Sequence, residues 1–67
     1  MKAEFEFLIQ GHLDEEWEQW FEGFNFTHLE DGTTLLRGEV ADQPALHGLL
    51  LRISQLGWTL LKVEKMN

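Results

Sequence analysis

The chain has 67 residues, of which 12 are acidic and 5 are basic, so its formal net charge is −7. This length predicts one domain over residues 1–67, and the negative charge argues against nucleic-acid and anionic membrane partners, which bind clustered Lys and Arg. The chain has no cysteine, which excludes disulfides and thiolate metal sites. A domain of this size is marginally stable alone, and oligomerisation is a common remedy.

The first part of the chain predicts a strand followed by a short helix. Residues 2–10 alternate between apolar and polar side chains, which is typical of a half-buried strand. Asp14 is a suitable N-cap for a helix that runs to Gly23, in which Trp17, Trp20 and Phe21 share one face. No apolar run approaches the ~20 residues that span a bilayer, and the N-terminus is unlike a signal peptide, so we expect a cytoplasmic protein.

The second part predicts two strands, a helix and a last strand. Residues 24–30 and 33–40 alternate, and Asp31-Gly32 between them indicates a tight turn. Asp42 caps the next helix, Pro44 fits its first turn, and Gly57 closes it. An apolar stripe along that helix comprises Leu46, Leu49, Leu50, Ile53 and Leu56. Residues 58–66 form the final predicted strand.

The order β-α-β-β-α-β in one short chain is typical of the ferredoxin-like split βαβ arrangement. We therefore predict an α+β fold, with a four-stranded antiparallel sheet and two helices on one face. The other sheet face is predicted to be bare, and its composition is mixed, as at many dimer or partner surfaces. The predicted residues of this face are Glu4, Glu6, Leu8, Gln10, Leu60, Lys62 and Glu64.

Four apolar residues are candidates for an interface. Leu8 and Leu60 fall on the predicted bare sheet face, and Leu51 falls off the main stripe of the second helix, roughly in line with Trp58. A single exposed leucine is ordinary, whereas a leucine beside a tryptophan extends into a contact patch. Both interpretations of this flank remain open.

The pair His47-Gly48 lies inside the second predicted helix. Glycine there costs about 1 kcal/mol relative to alanine, so another feature is expected to offset it. The simplest is close approach of another backbone at Gly48, either from the first helix or from a second subunit. The alternative is a ligand that contacts His47 and Gly48.

The polar residues predict no catalytic, cofactor or metal site. His12, His28 and His47 form no i, i+4 pair or clustered motif, so we interpret them as three unrelated surface or cap histidines. The acidic residues near Asp14 fit the start of a helix without catalysis. No nucleophile with a base partner and no Gly-rich phosphate loop is found.

The chain resembles a family of short bacterial proteins that has no established activity. The main marker is Asp42-Gln43 followed by Ala45-Leu46-His47-Gly48-Leu49-Leu50, and the resemblance covers nearly the whole chain. Further matching residues are Trp17, Trp20, Phe21, Gly23, Gly32, Thr33, Thr34, Leu35, Ile53, Leu56, Gly57, Leu60, Leu61 and Val63. This resemblance implies no function.

Three hypotheses about function follow. The leading one is a non-enzymatic interaction or regulatory module that works as a homodimer and could also bind another protein. The alternative is a small-ligand sensor similar to ACT domains, with the turn Gly11-His12-Leu13-Asp14 as its site. The third, a cofactor-free dimeric ferredoxin-like enzyme using His12, Asn25, His28 or Trp20, requires a pocket for which so short a chain has little room.

Overall fold

A computed structural model describes residues 3–12, 19–21 and 23–66, with the backbone alone at residue 20. A sheet of four strands and one α-helix make up most of this part of the chain. In chain order the elements are β1 (Ala3–Gln10), a 3-10 turn (Gln19–Phe21), β2 (Asn25–His28), β3 (Thr33–Val40), α1 (Gln43–Gln55) and β4 (Leu60–Met66).

The sheet has the strand order β2-β3-β1-β4, and every neighbouring pair is antiparallel. The prediction of a four-stranded antiparallel sheet is therefore confirmed, and β3 lies between β1 and β2. β1 pairs with β3 without interruption from Ala3↔Val40 to Gln10↔Thr33. Its pairing with β4 shifts register between Leu8 and Ile9. Leu8 faces Lys62 and Ile9 faces Leu60, so Leu61 is an extra residue in β4.

The prediction of two helices in a split βαβ order is not matched, because the described residues contain one α-helix. Most of the predicted first helix, including Asp14 and Trp17, lies outside the described residues. Its described part is the single 3-10 turn ending at Phe21. The Phe24 N–H donates to the Phe21 carbonyl at 3.0 Å, and Gly23 has a φ of 86°, so the chain turns towards β2 here.

The helix α1 follows its local sequence signals closely. Asp42 has extended backbone angles, and its Oδ1 accepts a hydrogen bond from the Ala45 N–H at 2.9 Å. Pro44 occupies the first turn, where its missing N–H is not needed. Gly57, with a φ of 79°, donates to the Ser54 carbonyl at 3.0 Å and closes the helix. The predicted cap, proline position and terminating glycine are confirmed.

The core lies between α1 and one face of the sheet. The predicted alternation places Phe5, Phe7 and Ile9 of β1 in this core, and their side chains are almost completely buried. Leu36 and Val40 of β3, Phe21 of the 3-10 turn and Ile53 of α1 complete the buried apolar cluster. The other stripe residues of α1 pack around it half-buried, so the helix covers this face, and no other described element covers the opposite face of the sheet.

Candidate interaction surface

The bare face of the sheet has an apolar centre surrounded by charges. Leu8 of β1 lies opposite Leu35 of β3 and opposite Lys62 of β4, and both leucines are half-buried. The predicted mixed composition of this face is confirmed for the residues of β1 and for Lys62 and Glu64. The prediction that Leu60 lies on the bare face is wrong: Leu60 pairs with Ile9 and packs against the core, because the extra residue Leu61 reverses the alternation.

An ion-pair cluster covers one side of this apolar centre. The Arg37 guanidinium donates to Glu4 Oε1 at 2.9 Å, and its second amino group lies 3.4 Å from Glu6 Oε2. The Glu4 hydrogen bond, then its charge, raises the pKa of Arg37, and Glu6 adds to that effect. Arg37 and Glu4 are each 47% exposed, so the cluster contributes little to stability and mainly fixes the charges of this face.

The strand β4 forms one edge of the sheet and is mostly exposed. Within the described residues, the large hydrophobic side chains most open to solvent are Leu51 (59%), Leu61 (48%) and Val63 (39%). Two of these three belong to β4. Beside them, Lys62 Nζ lies 3.4 Å from Glu64 Oε1, and Glu64 sits directly opposite Glu6 of β1. The edge strand thus combines exposed apolar side chains with alternating charges.

Leu51 and Trp58, predicted to share a flank, have different surroundings. Leu51 is the most exposed large hydrophobic side chain described, on the outer side of α1. Trp58 is half-buried against the core, with its ring centroid 5.6 Å from that of Phe21. Trp58 therefore serves the core in this chain, and Leu51 retains its predicted candidacy for an interface.

The glycine that permits a close contact is Gly38. A Cβ added at Gly38 would lie 2.7 Å from two atoms of the Phe24 ring, whereas a Cβ at Gly48 would meet no described atom within 4 Å. Both His47 and Gly48 are exposed. The expected close approach at Gly48 is therefore absent within the described part of the chain, and approach of a second subunit or a ligand stays a prediction. Sequence reasoning missed Gly38, although a glycine at a core-facing strand position often marks such a contact.

Two of the three histidines lie together. The rings of His12 and His28 stack with centroids 4.8 Å apart and planes 11° from parallel, and His12 Nε2 lies 3.0 Å from the Leu29 carbonyl oxygen. The interpretation of three unrelated histidines is wrong for this pair, because β1 and β2 both end at this side of the sheet. No set of three or more His, Asp or Glu residues able to hold a metal occurs among the described residues.

The turn next to the histidines is held by Asp31. Its Oδ1 accepts hydrogen bonds from the Thr33 hydroxyl at 2.6 Å and the Thr33 N–H at 3.1 Å. These bonds, the hydroxyl first, lower the pKa of Asp31, and the nearby His12 acts in the same direction. Gly32 has a φ of 87° and donates to the Leu29 carbonyl, so the predicted tight turn between β2 and β3 is confirmed.

The described residues enclose no pocket. None of the helices in that part of the chain has the length and apolar character required to cross a membrane.

No curated protein and no solved structure matches the chain significantly. A family model described as a domain of unknown function (DUF8691) matches residues 4–64. Because this match spans nearly the entire sequence, the chain belongs to the DUF8691 family.

Proposed function

We propose that this chain is a non-enzymatic interaction module that works as a homodimer. The observation that carries the proposal is the exposed edge strand β4, which leaves Leu61 and Val63 in contact with solvent. An exposed strand with apolar side chains is a template for pairing with another chain. Association would cover part of both side chains and would pair the backbone of the edge.

The size of the core supports the same proposal. The described residues bury seven apolar side chains almost completely, and the other apolar side chains around them are only half-buried. For a chain of 67 residues, such a core is close to the limit of independent stability. A second copy would add apolar burial without requiring a metal or a disulfide.

The test is the oligomeric state of the purified chain from low to high micromolar concentration, measured by sedimentation velocity and native mass spectrometry. We expect a dimer of bare chain mass, and a melting temperature that rises with protein concentration because only the folded state associates. A monomer at every concentration, with a constant melting temperature, would refute the proposal. Association with another protein alone, without a homodimer, would refute the homodimeric part.

The stacked pair of His12 and His28 supports a second candidate, a small-ligand sensor. It places two exposed imidazoles beside the Gly11 turn, where the sequence predicted a ligand site. A thermal-shift screen of amino acids and small carboxylates tests this candidate. A binder should raise the melting temperature of the native chain but not of His28→Gln. A flat screen, or equal shifts in both proteins, would contradict it.

A further inference from the structure

We infer that the partner is a second copy of this chain, bound edge to edge through β4, with a two-fold axis at Val63. This interface rests on the homodimer proposed above and specifies how it forms. The two sheets would join into one continuous antiparallel sheet of eight strands. Four features of β4 lead to this register: its free backbone groups, the symmetry of a dimer, the order of its charges and its position in an acidic chain.

The hydrogen bonds of β1 show which of its residues direct their backbone N–H and C=O groups towards β4. The Gln10 N–H donates to the Thr59 carbonyl at 2.9 Å on the β4 side, and the Gly11 N–H donates to the Gly32 carbonyl at 2.7 Å on the β3 side. Successive residues of a strand direct their backbone groups to opposite neighbours. The even-numbered residues of β1 therefore bond to β4.

The free edge of β4 follows from this alternation. Lys62 and Glu64 lie opposite even-numbered residues of β1, so their N–H and C=O groups point towards β1. Val63 and Lys65 direct theirs to the other side, where the described part of the chain contributes no strand. A second strand can pair there without disturbing the existing sheet.

Symmetry leaves few registers for two copies of β4. In an isologous antiparallel pair, one residue must face its own counterpart across the two-fold axis. An axis at Lys62, Glu64 or Lys65 would place identical charges directly opposite each other, which is destabilising. An axis at Leu61 would centre the pairing on the extra residue, where the strand is distorted. The axis at Val63 avoids both problems.

The charges of β4 are self-complementary about Val63. With the axis there, Lys62 of each copy faces Glu64 of the other, which gives two opposite-charge pairs per dimer. Within one chain Glu64 lies opposite Glu6, a like charge, while Arg37 contacts Glu6 from the far side. Glu64 already lies 3.4 Å from Lys62 of its own strand, and the lysine of the second copy would add a cation on the side away from Glu6.

The position of the basic residues favours approach through this edge. The chain carries a net charge of −7, yet two of its five basic residues, Lys62 and Lys65, belong to β4. Edge lysines commonly prevent indiscriminate strand pairing. In the Val63 register Lys65 faces Leu61 of the second copy, where its aliphatic stem can lie along an exposed apolar side chain. Lys62 and Lys65 would thus disfavour other pairing registers and permit the Val63 register.

The first experiment exchanges charges between copies. Lys62→Glu alone and Glu64→Lys alone each replace two attractive pairs by two repulsive ones, so each homodimer should be about tenfold weaker or worse. Mixed together, the two variants restore both pairs in the heterodimer. With one variant labelled with ¹⁵N, native mass spectrometry of the mixture should show mainly heterodimer. Lys62 and Glu64 are exposed, and circular dichroism of each variant checks its fold.

The second experiment locates the axis. Because the chain has no cysteine, Val63→Cys introduces a single thiol that would meet its own counterpart across the axis. Facing residues in an antiparallel pair have Cα atoms within the range that a disulfide bridges. Mild oxidation should therefore cross-link Val63→Cys much faster than Leu51→Cys, the matched control on the outer side of α1.

The outcomes separate this interface from the proposed dimer. Preferred heterodimers and rapid cross-linking at position 63 would support the Val63 register. A native dimer whose variants mix statistically and cross-link no faster at position 63 than at position 51 would overturn the register and leave the homodimer standing. A native chain that stays monomeric would overturn both.

Discussion

The Phe24 ring leaves no room for a side chain at Gly38, and Gly38→Ala is the sharpest test of core packing. Gly38 lies in β3 opposite Phe5, with its backbone buried under the ring. An alanine Cβ would lie 2.7 Å from Cγ and Cδ2 of Phe24 and 2.9 Å from Cδ1. Since these atoms are near the base of the side chain, the whole ring has to move.

Two effects of opposite sign determine how far Gly38→Ala changes the free energy of unfolding from that of the native chain. Forcing a methyl group into a packed core costs about 1–3 kcal/mol. Replacing glycine restricts the unfolded chain and returns about 0.5–1 kcal/mol. The net expectation is a loss of about 1–2 kcal/mol. For 67 residues the typical unfolding entropy converts this loss into a melting temperature lower by about 7–14 °C.

Gly48→Ala is the matched control, because the same chemical change occurs where no described atom lies within 4 Å of the new Cβ. In a helix interior, alanine is favoured over glycine by about 1 kcal/mol, so this variant should be more stable than the native chain. Urea denaturation and thermal melts at one fixed protein concentration measure both. A Gly38→Ala variant as stable as the native chain would refute the packing argument.

Other variants test the remaining contacts. Asp42→Ala removes the cap on the Ala45 N–H and should lower the urea-unfolding free energy by about 1 kcal/mol; no change would argue against the cap. Ile53→Val should cost about 0.5–1.5 kcal/mol, because Ile53 is buried in the core. The folded pKa of Asp31 is lowered, so its stabilisation exists above the unfolded pKa and disappears as pH falls through the folded one. Urea titrations should therefore show the stability difference between native chain and Asp31→Asn shrinking in acid; a constant difference would contradict the Thr33 hydrogen bonds.

The sequence predicts the parts of this fold that depend on neighbouring residues. The cap at Asp42 and the termination at Gly57 are local, so their chemistry is visible in the sequence itself. The alternation in β1 identifies its buried face for the same reason. In β4, by contrast, no glycine or other local signal marks Leu61 as an extra residue. The resulting one-residue shift in register places Leu60 on the core face instead of the bare face.

The contacts that the sequence did not predict join residues far apart in the chain. The stack of His12 on His28 depends on where β1 and β2 end in the assembled sheet. Likewise, a glycine in a strand indicates that something approaches it, but only the fold identifies the Phe24 ring above Gly38. The candidate interface combines a local feature with one that depends on the fold. The alternating charges of β4 are visible in the sequence, whereas its position at the sheet edge is a property of the topology.

The two surfaces left open by the fold differ in what association would gain. On the bare face, Leu8 and Leu35 are already half-buried, and Arg37 is already paired with Glu4 and Glu6, so a partner would have to desolvate ion pairs that the chain has satisfied. At the β4 edge, the outward backbone groups face no strand of the described part of the chain, so pairing would give them a ladder while covering exposed apolar side chains. The ion pair there, Lys62 with Glu64 at 3.4 Å, is more exposed than that of Arg37 with Glu6, and each of its charges would face an opposite charge in the dimer. Each hydrogen bond of the ladder contributes about 0.5–1.5 kcal/mol net, and apolar burial adds to it. The edge therefore offers the larger gain for the smaller desolvation, which favours it over the bare face as the site of dimerisation.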